Sequence, residues 1–173
     1  MQRTQLEIAL RAAADALSET EFVLAGSQSV HAHTDSPPVE VLMSEECDVW
    51  VKARFEKLEK IASTLGKNSS FHAAQGFYVD PVDPGLVLLP TGWESRLKKM
   101  DAPPVTVWCL DVNDLVVSKL NAGRIKDYEF VNAMLRLRLA DLSVLEQRIQ
   151  TFAEPVLQAR LFARLRMSLE GLP

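Results

Sequence analysis

The sequence predicts an α+β fold, a mixed sheet flanked by helices with a helical C-terminal third. Three observations carry this expectation. Short apolar and β-branched runs recur between residues 20 and 110, the clearest being Val105-Thr106-Val107-Trp108-Cys109-Leu110. Apolar residues at helical spacing precede and interrupt those runs. From Asn113 onward the spacing is helical throughout.

Each element follows from local pattern. Residues 5–17 are rich in Ala and Leu, and Leu6, Ile8, Leu10, Ala13 and Leu17 fall on one helical face. Phe22-Val23-Leu24-Ala25 is a short apolar run that reads as a buried strand. It stops at Gly26-Ser27, where a tight turn into a short helix is expected, with Ser27 as N-cap. Thr34-Asp35-Ser36-Pro37-Pro38 has loop composition. Cys47-Asp48-Val49-Trp50-Val51 alternates as a strand, and residues 52–65 carry Phe55, Leu58, Ile61, Ala62 and Leu65 at helical spacing before Gly66. Phe77-Tyr78-Val79 and Leu86-Val87-Leu88-Leu89 read as two further strands, joined by a turn at residues 80–85. Gly123 breaks the C-terminal helical region, and Pro155 suits a first helical turn. One core domain is expected over residues 1–139, with residues 140–173 as a helical extension packed on it.

Composition excludes several classes. The chain has 173 residues, of which 47% are hydrophobic and 24% charged, an ordinary globular balance. No apolar run reaches the roughly 18 residues a membrane span needs, and the first seven residues do not resemble a secretory signal, so a cytoplasmic protein is expected. A net charge of −4 argues against nonspecific nucleic-acid binding, while leaving room for a local basic groove. Two cysteines, Cys47 and Cys109, are too few for a disulfide scaffold or a zinc cluster and read as reduced core thiols. His31 and His33 lie two apart on the expected short helix, so they do not face one ligand.

Several residues suit chemistry. Glu46 and Asp48 flank Cys47 at the mouth of a strand, and residues two apart on a strand share a face. Two carboxylates side by side repel unless a cation joins them, and hard oxygen ligands suit Mg²⁺. The same pair also occurs as ordinary solvated surface. Gly26 lets backbone approach a ligand, and the N–H groups at the helix start beyond it attract phosphate. Ser27 is equally well explained as a cap. Lys119, Arg124 and Lys126 bracket the Gly123 break and are followed by Asp127. Lys119, among Leu115, Val116 and Leu120, either snorkels or pairs with an anion such as a triphosphate. His72 lies in a polar stretch. Trp93 and Arg96 suit a loop packed on the core, with Arg96 paired to a carboxylate.

Taken together, Gly26-Ser27-Gln28-Ser29, then Ser44-Glu45-Glu46-Cys47-Asp48-Val49-Trp50, then Ser118-Lys119-Leu120-Asn121-Ala122-Gly123-Arg124-Ile125-Lys126-Asp127 are more specific than any one motif. In this order they resemble the AbiEii-like bacterial nucleotidyltransferases of the polymerase-β-like superfamily. The loop from Leu88 to Leu97 is similar to that family as well, and the resemblance covers about residues 20 to 135. It implies a nucleotidyltransferase palm fold. It further implies that Gly26, Ser27 and Gln28 bind the nucleotide phosphates and that Glu46 and Asp48 hold Mg²⁺, with Mn²⁺ as the substitute metal. Lys119 would neutralise the triphosphate and Asp127 would orient the Lys or Arg cluster, with Arg124 and Lys126 as further nucleotide-binding residues. Such palms usually carry Asp-x-Asp, whereas Glu46 stands first here. The third carboxylate is open: Asp80 and Asp111 each follow an expected strand, and Asp80 sits in a turn-like Asp-Pro. His72 and Arg96 are further candidates.

The resulting expectation is a Mg²⁺-dependent enzyme moving a nucleotide from an NTP to a hydroxyl of RNA (tRNA above all), of a protein or of a small molecule. It would be toxin-like, with a cognate antitoxin or a second copy as partner and no membrane. The alternative is a catalytically inactive palm that binds a nucleotide or a protein, the helical tail after Leu139 offering an apolar face among arginines.

Overall fold

A computed structural model describes residues 1–50 and 55–170. The expected strand end at Val51 and the expected helix start at 52–54 lie outside the described residues. The chain forms two compact units: Met1–Leu86 with Leu97–Leu110, and Val87–Arg96 with Asp111–Pro173.

The first unit is a five-stranded mixed sheet with helices. In chain order it contains α1 (Arg3–Leu17), β1 (Glu21–Leu24), a 3-10 helix (Ser27–Ala32), α2 (Val39–Leu42), β2 (Glu46–Trp50), α3 (Phe55–Thr64), α4 (Ser70–Gln75), β3 (Tyr78–Val82), β4 (Lys98–Ala102) and β5 (Val105–Cys109). The strand order is β3-β2-β1-β5-β4. β1 runs parallel to β5 and antiparallel to β2, β2 parallel to β3, and β4 antiparallel to β5.

Strand alternation decides what each sheet face carries. Phe22, Leu24, Cys47, Val49, Val79, Met100, Ala102, Val105, Val107 and Cys109 join one buried cluster with Leu6, Leu10, Ala13 and Leu17 of α1 and Ile61 of α3. The alternate residues of β2 and β3 are Glu46, Asp48, Tyr78 and Asp80, so they fall on the opposite face. The apolar spacing of α1 and the alternation of β2 are thus two halves of one packing decision, which sends the E-x-D pair away from the core. Both cysteines are buried and free.

The second unit holds α5 (Val112–Ala122), α6 (Ile125–Arg136), α7 (Leu142–Gln150) and α8 (Pro155–Leu169), packed on one another. Asp111 caps α5 by accepting from the Asn113 N–H at 2.9 Å, and Asp141 caps α7. Gly123 ends α5 at φ 65°, a left-handed conformation that glycine adopts without steric cost. Pro155 is the first residue of α8, as its missing N–H predicts.

Three expectations need correction. Leu86–Leu89 form no strand: Pro84–Leu86 is a short 3-10 turn, and Leu86 projects into solvent at 83% exposure. Asp80 and Pro81 are not in a turn but inside β3. That strand lies at the sheet edge, where a missing proline N–H breaks no central ladder. The helix after β1 is capped by Gly26, with Ser27 its first residue. The polar stretch around His72 is helical, with Ser69 Oγ accepting from the His72 N–H at 3.1 Å as the cap. No helix among the described residues is long and apolar enough to cross a membrane.

Candidate active site

The sheet face opposite the core gathers the sequence-predicted acids. Glu46 and Tyr78 are register partners on β2 and β3, as are Asp48 and Asp80. Glu46, Asp48 and Asp80 therefore stand on one face of two neighbouring parallel strands, and strand pairing places Asp80 beside Asp48. The Tyr78 hydroxyl donates to Glu46 Oε1 at 3.0 Å. Burial and the Glu46 charge push the Asp80 carboxyl above the ordinary carboxylate range, with Lys67 opposing. Burial followed by the Glu46 interactions pushes the Tyr78 phenol up, so it stays a proton donor.

The Gly26-Ser27 turn meets this face at Asp48. The Ala25 N–H donates to Asp48 O at 2.9 Å, which carries the β1–β2 pairing one residue further and lays Gly26 alongside. A Cβ on Gly26 would lie 1.5 Å from Asp48 Oδ2 and 2.5 Å from its Cγ. The carboxylate occupies the space a side chain would need. Gly26 has φ −96° and ψ −165°, ordinary extended backbone, so the glycine is required for room rather than for conformation. The second and fourth residues of the Gly-Ser-Gln-Ser motif turn inward. Ser29 Oγ donates to Leu24 O at 2.6 Å, and Ser27 is buried at the helix start. Gln28 is fully buried, and its amide donates to Val41 O at 3.1 Å and Ser44 O at 3.4 Å. Gln28 thereby ties the turn to the segment leading into Glu46.

His72 stands beside Tyr78 and Glu45. Its Nδ1 accepts from the Asn68 N–H at 3.0 Å, its Nε2 lies 3.7 Å from Glu45, and its ring packs 4.9 Å from that of Tyr78. His31 and His33 serve the fold instead, bonding Met1 O at 3.1 Å and Leu110 O at 3.0 Å.

The remaining candidates belong to the second unit. Asp127, at 2% exposure, accepts from Arg124 Nε at 2.7 Å, from Arg124 Nη2 at 3.1 Å and from the Arg124 backbone N–H at 3.0 Å. Lys119 Nζ lies 3.7 Å from Asp127 Oδ1 and 5.8 Å from the Phe130 ring centre. One buried carboxylate thus fixes two of the expected cations, while Lys126 is exposed at the start of α6. Arg96 forms a bidentate pair with Asp114 at 2.8 and 2.9 Å, and Asp114 also meets Arg148 at 3.0 Å. This is the carboxylate-paired role expected for Arg96.

Asp127 also sets an acid dependence. Burial raises its carboxyl, but the Arg124 hydrogen bonds and the Lys119 charge outweigh burial and leave it below the ordinary value. A depressed folded value means the stabilisation is complete above the unfolded pKa of about 4 and is lost as pH falls through the folded one. Urea unfolding should therefore show stability declining as pH drops below about 4. Asp127→Asn should flatten that decline while lowering stability at neutral pH; an unchanged slope would refute the assignment.

Glu46, Asp48 and Asp80 are the acids on this face that could take part in holding a divalent cation. Among the described residues, no group of three or more His, Cys, Asp and Glu side chains is gathered tightly enough to hold a metal by itself. Mg²⁺ characteristically takes one or two carboxylates and completes its shell with substrate phosphates and water. A carboxylate seated on a bare glycine Cα, with a second acid two residues away and a third in register, suits that mode.

Residues 5–170 match the model of a protein family described as "Nucleotidyltransferase of unknown function (DUF6036)". Searches of curated proteins and of solved structures return no match.

Proposed function

We propose, because the chain belongs to this nucleotidyltransferase family, that it is a Mg²⁺-dependent enzyme moving a nucleotide from an NTP to an acceptor hydroxyl. The observation that carries the reading is the seat of the Asp48 carboxylate on Gly26, which joins the Gly-Ser turn and the E-x-D pair in one place. In this reading Glu46 and Asp48 hold the metal, and Mn²⁺ substitutes for it. The backbone at Gly26-Ser27 receives the terminal phosphates. Gln28 shapes that turn from beneath. When bound, the metal supplies neutralisation of charge on the phosphoryl oxygens.

The reaction joins the acceptor oxygen to the α-phosphorus and breaks the bond to the bridging oxygen, so pyrophosphate leaves with that electron pair. The hydroxyl proton needs a base. Asp80 suits this task by position, since it stands in register with Asp48 on the same face of the paired strands. Within the second unit Asp127 holds Lys119 and Arg124, and only the motif resemblance suggests a nucleotide-binding role for these cations and Lys126. The motif resemblance supports an AbiEii-like affiliation, and with it a toxin-like role, an RNA or protein acceptor and an antitoxin partner.

The test is incubation with labelled ATP, CTP, GTP and UTP, with Mg²⁺ or Mn²⁺, in the presence of total bacterial tRNA and lysate. Transfer by the wild type that is absent from the Glu46→Gln/Asp48→Asn double variant is the expected result, and the labelled product names the donor and acceptor class. Absence of saturable binding to any nucleotide would overturn the reading. Nucleotide bound without transfer under every condition would favour the inactive-palm alternative.

A further inference from the structure

Glu46 differs from Asp48 in a way that needs a structural answer. A glutamate carboxylate sits one methylene further from the backbone and has one more rotatable bond. Left to itself it would lose more freedom on taking a fixed position. The Asp48 carboxylate packs against the bare Gly26 Cα. Glu46 sits opposite Tyr78 in the parallel β2–β3 register, and the phenol reaches Glu46 Oε1 at 3.0 Å.

Tyr78 is itself held. Its side chain is buried at 6% exposure, and its ring lies against His72 at 4.9 Å with the two planes tilted by 59°. His72 is fixed in turn by the Asn68 N–H on Nδ1 and by the start of α4, where Ser69 Oγ accepts the His72 N–H. A continuous chain of contacts therefore runs from the backbone before α4, through the imidazole and the phenol ring, to one oxygen of Glu46.

We propose that Tyr78 is the positioning residue for Glu46, its hydroxyl fixing Oε1 so that the longer acid presents its carboxylate to a divalent cation as reproducibly as the glycine-seated Asp48 does. This rests on the metal-binding reading of Glu46 and Asp48 given above. A neutral phenol can only donate to a carboxylate here, so the bond orients Glu46 without competing for its proton. A shorter acid at position 46 would fall out of reach of the phenol. The length of Glu46 and the presence of Tyr78 are two parts of one device.

The experiment is a Mn²⁺ titration followed by electron paramagnetic resonance, on the wild type, Tyr78→Phe, Glu46→Asp and the double variant. Thermal melts of all four proteins accompany it. Tyr78→Phe keeps the ring on His72 and removes only the hydroxyl. Its Mn²⁺ affinity should fall roughly tenfold, the lower end of what losing a partner of a metal ligand costs. In the Glu46→Asp background the same change should have no further effect, because the bond is already absent. A merely structural hydroxyl would shift melting in both backgrounds alike and leave Mn²⁺ affinity unchanged. Wild-type affinity in Tyr78→Phe, or equal losses in both backgrounds, would overturn the proposal while leaving the metal site standing. Absence of Mn²⁺ binding by the wild type would overturn the metal reading and this inference with it.

Discussion

Asp48→Asn is expected to lower nucleotide transfer on the order of 10³-fold and to leave the fold intact. The substitution is nearly isosteric and keeps the backbone bond from the Ala25 N–H to Asp48 O. It removes one negative charge from a face that also carries Glu46 and Asp80. Stability should change little, since the isosteric substitution only thins the like charge beside Glu46 and Asp80. Function should move the other way, because an amide oxygen carries no formal charge with which to bind a divalent ion. Metal stabilisation of transition-state charge amounts to several kcal/mol, and each 1.4 kcal/mol or so is about tenfold in rate. The measurement is label transfer at saturating Mg²⁺ beside a thermal melt. Retention of more than about a tenth of the wild-type rate would remove Asp48 from the metal site.

What the sequence discloses and what it withholds follow from the range of the interactions involved. The E-x-D spacing is local: a period of two places both acids on one face whatever the rest of the sheet does. The Gly123 break and the Pro155 start are equally local, set by the conformations those residues favour. Asp80 is different. Asp80-Pro81 has turn chemistry, and only pairing of β3 with β2 turns that segment into a strand. The edge position that tolerates Pro81 is a property of strand order, not of the dipeptide. Tyr78 lies in an expected strand, but it shares a face with Asp80 only because β3 continues through Asp80 and Pro81. Its partner Glu46 lies 32 positions away, beyond any local pattern. β4 shows the same limit: Lys98-Lys99-Met100-Asp101-Ala102 is mostly charged, and only Met100 and Ala102 face inward once β5 supplies a partner. The ordered motifs pointed to a nucleotidyltransferase, which the family match shows at that level and no finer, because their joint occurrence constrains positions that local propensity treats as independent.

Gly26→Ala is expected to approach the same functional loss by a different route, with a stability cost that Asp48→Asn lacks. The new methyl would stand 1.5 Å from Asp48 Oδ2 and 2.9 Å from its Cβ, so no small rotation of the carboxylate clears it. Backbone conformation raises no objection, since φ −96° is open to alanine. The whole penalty is therefore steric and falls on Asp48. Either the carboxylate swings off the Gly-Ser turn or β1 and β2 separate where Ala25 bonds Asp48 O, and overpacking of this kind costs about 1–3 kcal/mol. Both routes break the seat on which the proposed site depends, so transfer should fall on the order of 10²-fold or more, with Mn²⁺ affinity falling in parallel. Combining Gly26→Ala with Asp48→Ala separates the two effects. Removing the carboxylate relieves the 1.5 and 2.5 Å clashes and leaves only the 2.9 Å approach to the residue-48 Cβ, so part of the lost stability should return while activity does not. Recovery of the melting temperature without recovery of transfer would show that Gly26 is kept for the acid it accommodates. An additive loss of stability in the double variant would instead mean that the methyl clashes with the strand itself, and the glycine would then belong to the fold rather than to the site.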